Sequence, residues 1–237
     1  MKTSTILIIS VIIIFLISLT AYNITLRASY LNGDYKNPFY GLKCTPLNPV
    51  KDLKIESSNS FQIRVIKGEK NAIYFSERAD GHYIYRLDKE LLSIDLSPES
   101  KKKNFTIYSD DIIVVLSKLE SLTLKPDYSS KDGNTNNLSG RIDINGFNQD
   151  AMYLNLGTGS IVSLDSLGIE KLTALVGTAG DKPAELSLKA GKYQSARFEI
   201  LGKGMLELLD ADIVRTEYHL SNSASVKLNG QALKDIK

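Results

Sequence analysis

The sequence predicts an all-β protein, in which a β-solenoid follows a β-hairpin-rich N-terminal region and one N-terminal transmembrane helix. Three observations predict this fold class. A charge-free apolar segment stands near the start, short segments that alternate apolar and polar residues fill most of the rest, and after residue 118 the alternation returns in the same phase about every 20 residues. Alternation with period two is typical of strands with one buried face. A phase that returns at a fixed interval is typical of stacked repeats.

The apolar segment predicts a membrane-spanning helix. Ile6–Leu19 contains no charged residue, and with its apolar flanks it covers 18 residues, near the lower limit for crossing a hydrocarbon layer about 30 Å thick. A cleaved signal peptide is the competing interpretation, because its apolar region is usually shorter and small residues precede its cleavage point. Leu19 stands where cleavage after Ala21 would need a small residue. We therefore expect residues 1–22 to form a transmembrane anchor or uncleaved signal, and residues 23–49 a juxtamembrane linker.

Residues 119–237 carry the repeat. Five segments begin at small residues, at intervals of 20 residues with one longer interval of 24: Gly140, Ser160, Ala184, Gly204 and Ala224. Aliphatic residues stand two places after each start: Ile142, Val162, Leu186, Leu206 and Val226. A second column stands four places after: Ile144, Leu164, Leu188, Leu208 and Leu228. A third stands nine places after and is interrupted at Gln149: Ile169, Tyr193, Ile213 and Leu233. These columns predict coils of about 20 residues with two short strands each, because such a unit buries too little apolar surface to fold alone, whereas stacked units cover one another.

Residues 50–118 show further strand patterns without this period. Six apolar-rich segments are separated by turn-forming residues, such as those of Lys67–Asn71 and Ala79–Gly81. We expect hairpins here that close the N-terminal end of the solenoid, within one all-β domain over residues 50–237. A β-sandwich of short antiparallel strands is the competing architecture, since turn signals about every ten residues suit it equally. The constant phase of the columns favours the solenoid.

One segment and a set of corners form a pattern that also occurs elsewhere. The segment Ile112–Leu124 reads IIVVLSKLESLTL, and small corners separate the strands after it: Ser139–Gly140, Gly157–Ser160, Gly202–Gly204 and Ser221–Ser225. From Val50 to the end, the chain thereby resembles the auto-transporter adhesin head domain, or GIN domain, a family common in envelope proteins of Gram-negative bacteria. Two corners depart from the family pattern, since Gly180–Ala184 contains proline and Ser221–Ala224 lacks glycine. The resemblance implies a β-helical fold and a surface or periplasmic location, and it transfers no catalytic residue.

Acidic residues at the corners are the best candidates for catalysis. A site that cleaves polysaccharides needs neighbouring carboxylates, which either flank the glycosidic bond or bind calcium. Asp210 and Asp212 form the best pair, but Lys189 occupies the corner before them, and Asp165 lies two coils away, about 10 Å. This pattern favours a charge-balanced surface, so we assign no catalytic residue.

The remaining reactive residues are few. His82 and His219 are the only histidines and Cys44 is the only cysteine, so the sequence offers no metal-ligand spacing and no internal disulfide. We expect no cofactor and no metal. The formal charge of +2 is too small for a nucleic-acid-binding domain, and the basic run Lys101–Lys103 is expected to be a solvated loop.

These observations support one functional hypothesis and two alternatives. The first is a membrane-anchored, non-catalytic module of the cell envelope with a structural, adhesive or binding role, whose partners are the lipid bilayer and an envelope glycan or protein. The alternatives are a carbohydrate-active enzyme built around Asp210 and Asp212, and a self-assembling scaffold whose ends stack head to tail. We expect a single span of the bacterial inner membrane with the C-terminal domain in the periplasm or outside the cell, because a very short N-terminal tail normally stays inside.

Overall fold

The computed structural model divides the chain into two compact units, Met1–Gly41 and Leu42–Lys237. It describes residues 3–103, 105–108, 111–126, 140–178 and 182–230. Leu233, the last member of the third column, lies outside these residues.

The first unit is dominated by one long helix, α1 (Thr3–Asn32), which a short 3-10 turn (Asp34–Lys36) follows. The helix ends where Gly33 takes a φ of +73°, a left-handed conformation that commonly terminates helices. Its portion Ile6–Asn32 contains an 18-residue window with a mean hydropathy of 2.5, and none of that window is buried within the protein. At 1.5 Å per residue these 27 residues extend about 40 Å, which exceeds the thickness of a bilayer core. The helix is therefore long and apolar enough to cross a membrane, a property that it shares with signal sequences.

The described residues of the second unit form 16 strands and one short helix, α2 (Pro98–Lys102). The strands are β1 (Lys43–Pro46), β2 (Asp52–Glu56), β3 (Gln62–Lys67), β4 (Ala72–Phe75), β5 (Tyr83–Asp88), β6 (Leu91–Leu96), β7 (Ile112–Leu116), β8 (Ser121–Lys125), β9 (Gly140–Asn145), β10 (Asn148–Leu156), β11 (Ser160–Asp165), β12 (Leu167–Val176), β13 (Glu185–Ile200), β14 (Met205–Ile213), β15 (Thr216–Leu220) and β16 (Ser225–Leu228). A second 3-10 turn, Ser58–Ser60, lies between β2 and β3.

The described strands belong to one large mixed sheet. Its main path runs β1-β4-β7-β3-β9-β11-β13-β12-β10-β8-β2-β6-β5. The long strand β13 is the junction: its first part pairs with β11 and β14, and its second part pairs with β12 and β15, while β16 pairs with β14. The pairs β1–β4, β4–β7 and β5–β6 are antiparallel, and the other strand pairs are parallel.

The predicted β-solenoid is wrong as a fold class. The described strands form an open mixed sheet with antiparallel pairs at both ends of its main path, and they do not form a closed stack of coils. The apolar columns nevertheless stand in register, since Ile142, Val162, Leu186, Leu206 and Val226 are successive Cα partners. Register follows from the local apolar pattern, because a one-residue slip would move every apolar side chain to the opposite face. Closure of a sheet depends on contacts between distant segments, which that pattern does not encode.

The predicted hairpin-rich N-terminal region is also wrong. Of its strands, β2 lies between β6 and β8, and β3 lies between β7 and β9, in each case parallel to both neighbours. Only β5 and β6 form an antiparallel pair of consecutive strands among the described residues. The strands β2 and β3 are therefore interior members of the same sheet, and the N-terminal strands do not form a separate cap in front of it. The turn-forming residues between the segments predicted pairing of consecutive strands, but β2 and β3 pair with strands that are distant in sequence.

The core consists of the inward side chains of these strands. Ile142, Leu164, Leu188 and Phe198 are all 0% exposed. Gln149 interrupts the third column because its side-chain amide bonds to the backbone of the buried Leu119: Leu119 N–H donates to Oε1 at 3.1 Å, and Nε2 donates to the Leu119 carbonyl. A polar residue thus stands in the apolar column because its side chain binds backbone groups within the sheet.

The small residues that begin the first two repeats have a steric reason. A Cβ on Gly140 would lie 1.6 Å from the carbonyl oxygen of Ser58, so any other residue would require a backbone shift. On the next strand, Ser160 is completely buried, and its hydroxyl lies 3.2 Å from that of Ser58. The 3-10 turn Ser58–Ser60 therefore packs against the start of β9 and β11, which selects small residues there.

Candidate functional site

The candidate site is the outer face, which we define as the outward side chains of β5, β6, β2, β8, β10, β12, β13 and β15. One row of Cα partners crosses all eight strands: Asp88, Leu91, Asp52, Ser121, Tyr153, Thr173, Arg197 and Glu217. A second row runs beside it: Arg86, Ser93, Lys54, Thr123, Asn155, Leu175, Glu199 and His219. At a strand spacing of about 4.8 Å, each row extends roughly 34 Å. The outer face is therefore long enough to contact a macromolecule.

A first groove of about 590 Å³ lies at the β5 end of the outer face. Its charged lining residues are Lys54, Glu56, Arg86, Asp88, Asp95, Lys101 and Lys125. Asp95 is the most strongly held of them, because its carboxylate lies 2.7 Å from Lys101 Nζ and accepts the Ser57 hydroxyl at 2.8 Å. Glu56 binds the ammonium group of Lys54 and raises the pKa of that lysine. Arg86 and Asp88, on the edge strand β5, leave charged groups of both signs at the rim of the groove.

A second groove of about 500 Å³ lies at the β15 end of the same face. Arg197 and Arg215 line it together with Glu199 and Glu217. The Nε2 atom of His219 lies 2.6 Å from Glu217 Oε1, and this hydrogen bond, with the charge of Arg197, lowers the pKa of Glu217. Both grooves thus present positive and negative charges. This arrangement suits a partner whose surface also carries charges of both signs better than a polymer whose charges all have one sign.

Exposed aromatic rings do not form a strip along the outer face. Four exposed tyrosines lie in the described part of the second unit, Tyr85, Tyr108, Tyr153 and Tyr218. Only Tyr153 belongs to the two rows, near their middle. The Tyr108 ring lies 4.6 Å from the guanidinium carbon of Arg78, so it already has a stacking partner. A row of rings on which successive sugars could stack is not formed by these tyrosines.

The predicted acidic pair lies away from the outer face, on β14. Asp210 and Asp212 are both exposed, and their Cα partners on β13 are Ala190 and Lys192. Asp165 lies on β11 and has Asn145 as a partner on β9. No second carboxylate faces either member of the pair across the pairing with β13, and the described residues contain no group of three metal-ligating side chains. Two carboxylates aimed at one bond, as glycoside hydrolysis requires, are not formed by these residues.

His82 has a serine neighbour that the sequence did not reveal. Its Nδ1 lies 2.9 Å from the hydroxyl of Ser100, which also accepts a hydrogen bond from Ser97, and its ring stacks on Phe105 at 3.9 Å. Ser97 is the N-cap of α2, and Ser100 is only 1% exposed. This arrangement stabilises the start of α2 and leaves the serine inaccessible to a substrate. The run Lys101–Lys103, predicted as a loop, contains the end of that helix.

A buried carboxylate that the sequence did not single out accepts several hydrogen bonds. Asp111 is 6% exposed, and it accepts hydrogen bonds from Ser76 Oγ at 2.7 Å, from Arg78 at 2.5 and 3.1 Å, and from the Tyr108 amide at 3.1 Å. Burial opposes its ionisation, but these bonds outweigh burial and lower the pKa of Asp111. The cluster joins the loop after β4 to the loop before β7, which is a structural role.

Cys44, the single cysteine of the sequence, lies exposed on β1 with Tyr74 of β4 as its Cα partner. A hydrogen bond between these two side chains raises the pKa of Tyr74. The thiol is thus reachable by reagents, although it lies outside both grooves.

Comparison with known proteins gives a likeness of fold. No family model matches the chain, and no curated protein matches it either. A solved "putative adhesin" from Parabacteroides distasonis aligns with a TM-score of 0.52 at 11% identity, over 79% of this chain and 75% of that chain. A "putative adhesin" from Bacteroides fragilis has a TM-score of 0.45 at 12% identity, over 79% of this chain and 95% of its own. A "putative lipid binding protein" from Parabacteroides distasonis has a TM-score of 0.36 at 12% identity, over 81% and 97%. The comparison with a TM-score of 0.52 shows that this chain shares the fold of that solved protein.

Proposed function

We propose that the chain is a non-catalytic binding module of the bacterial cell envelope, held in the inner membrane by α1. The observation that carries this proposal is the apolar helix. The most apolar part of its segment Ile6–Asn32 is not buried against any described part of the protein. Unburied apolar surface of that size is stable in a bilayer and is costly in water. A binding role in the envelope requires Leu42–Lys237 to lie in the periplasm or outside the cell, and the N-terminus of α1 then faces the cytoplasm.

The outer face is the binding surface of this proposal. Its charges of both signs and its single exposed tyrosine favour a protein partner over a glycan that stacks on aromatic rings. The shared fold with an adhesin-like protein supports an adhesive role, and the likeness to the auto-transporter adhesin head domain belongs to the same proposal. Asp210 and Asp212 have no role in it.

Membrane extraction and protease protection test the anchor and its orientation. The full chain is expected to stay in the membrane fraction at alkaline pH with its intact mass of 26.2 kDa. Trypsin should digest the second unit only after the outer membrane is permeabilised. A soluble chain that has lost its first 20 or so residues, as cleavage of a leader would leave, contradicts the anchor. Digestion from the cytoplasmic side contradicts the orientation.

Cross-linking to intact envelope fractions tests the binding surface. The double variant Arg86→Glu and Arg197→Glu reverses one charge in each groove, and it should lose the partner that the wild type recovers. The matched control is Lys227→Glu on β16, which reverses an exposed charge outside the outer face. Loss in both variants points to a general charge effect and contradicts the assigned face. Recovery of neither protein nor cell-wall material by the wild type contradicts a binding role.

A further inference from the structure

The strand β15, which pairs with the second part of β13, leaves one of its edges open. It pairs with β13 along one side, and no strand that the structure describes pairs with the other. Its inward side chains continue buried columns: Tyr218 is the Cα partner of Phe198, and Leu220 is the partner of Ile200. Phe198 and Ile200 are both 0% exposed, whereas Tyr218 is 41% and Leu220 is 50% exposed. Within the described residues, the apolar interior therefore ends at β15 without a cover.

The backbone groups on the open edge can be assigned from the pairing on the other side. The Arg215 carbonyl accepts the Ala196 amide at 2.9 Å, and the Ser221 amide donates to the Ile200 carbonyl at 2.9 Å. Alternate residues of a strand point to opposite edges, so Glu217 and His219 also face β13. The N–H and C=O groups of residues 216, 218 and 220 consequently point away from β13. A free edge of this kind is a template for another strand.

We propose that the open edge of β15 pairs antiparallel with β15 of a second copy of the chain, about a two-fold axis through Tyr218. In this register Tyr218 lies opposite Tyr218 of the partner subunit, and Thr216 lies opposite Leu220 of the partner subunit. These are the three residues whose backbone groups point to the open edge, so all of those groups gain partners. The inward Tyr218 and Leu220 side chains of both copies then cover one another. Such an isologous contact closes on itself and forms a dimer without growing into a fibre.

The outward side chains of the strand are complementary in the same register. Glu217 lies opposite His219 of the partner subunit, and the reverse pair forms on the other side of the axis. These positions form non-hydrogen-bonded pairs, in which the Cα atoms approach to about 4.5 Å and the side chains are closest. Glu217 already accepts a hydrogen bond from His219 of its own strand, with Arg197 as its Cα partner on β13, so the two imidazole donors and the two carboxylate acceptors would alternate around the two-fold axis. In-register parallel pairing would place Glu217 beside Glu217, which is unfavourable. The sequence Thr216–Leu220 is thus complementary to itself in the antiparallel sense.

Disulfide cross-linking tests the register. In the full chain in non-ionic detergent, with Cys44→Ser to remove the native thiol, Tyr218→Cys places two cysteines opposite each other with Cα atoms about 5.5 Å apart, inside the range for a disulfide. The matched control is Thr216→Cys, whose two copies lie about 14 Å apart, beyond that range. We expect efficient covalent dimers at position 218 and few at 216. Equal yields at both positions, or no dimer at either, overturn the proposal.

Charge variants test the same contact without a cysteine. Sedimentation equilibrium should show that Glu217→Lys weakens dimerisation about tenfold, because both carboxylates that accept cross-strand hydrogen bonds from His219 are lost. Adding His219→Glu to that variant recreates opposite charges and should restore the wild-type dissociation constant within about threefold. Both side chains are exposed, so circular dichroism should confirm an unchanged fold. A dimer that is insensitive to both variants, or a strict monomer, overturns the proposal.

Discussion

A comparison of two leucines in one column tests the stacking of side chains in the sheet. Leu188 is 0% exposed and has Leu164 and Leu208 as Cα partners on either side, whereas Leu228 is half-buried at the end of the column and has Leu208 alone. Leu188→Ala should lower the free energy of unfolding by about 3–5 kcal/mol, since it loses the transfer free energy of its methyl and methylene groups and leaves a cavity between two rigid neighbours. Leu228→Ala removes the same atoms from a site with a neighbour on one side. It should cost about 1 kcal/mol.

Urea denaturation of the full chain in non-ionic detergent measures both values. Circular dichroism follows the loss of the sheet, and equal slopes against denaturant show that the unfolded states expose similar surface. Because the chemical change is identical, the difference between the variants reports position in the column. A difference below about 1 kcal/mol, or a larger loss for Leu228→Ala, would contradict the stacking on which the description of the core rests.

Three further outcomes are expected from polar groups in the second unit. Asp111→Asn should cost about 2–3 kcal/mol at neutral pH, because it removes charge-assisted hydrogen bonds from Arg78. The pKa of Asp111 is lower in the folded state than in the unfolded state. Its ionised carboxylate therefore stabilises the fold above the unfolded pKa, which is near pH 4, and this stabilisation is lost as the pH falls through the folded-state pKa. When the free energy of unfolding is measured at falling pH, the variant should lose less of it than the wild type. Gln149→Leu makes the third column continuous, yet thermal and urea unfolding should show a loss of about 1–3 kcal/mol because the buried backbone of Leu119 loses its partners. Tyr193→Phe should be neutral or stabilising by about 1 kcal/mol in the same assays, because this hydroxyl is buried without a hydrogen-bond partner among the described residues, and burial raises its pKa.

Parts of the candidate site were predictable from the sequence and parts were not. The outward position of His219 follows from the alternation of its strand, and the structure places it on the outer face beside Glu217. The two grooves were not predictable, because each is lined by strands that are distant in sequence, such as β2 beside β6 and β13 beside β15. Asp111 also gave no signal, since its partners come from a loop about 35 residues earlier, whose approach depends on the antiparallel pairing of β4 with β7.

The sequence alone determined the apolar N-terminal helix, the strand content and the register of the repeated columns. These properties are local: hydropathy over some 20 residues selects a helix, and alternation selects which side chains are buried. Tertiary structure decided which strands become neighbours, that the sheet stays open, and that β2 and β3 enter its interior. Those outcomes depend on pairings between segments far apart in the chain, and many pairings bury the same alternating pattern equally well. The open edge of β15 is the consequence with the most functional interest, because only the assembled sheet shows which strand is left without a neighbour.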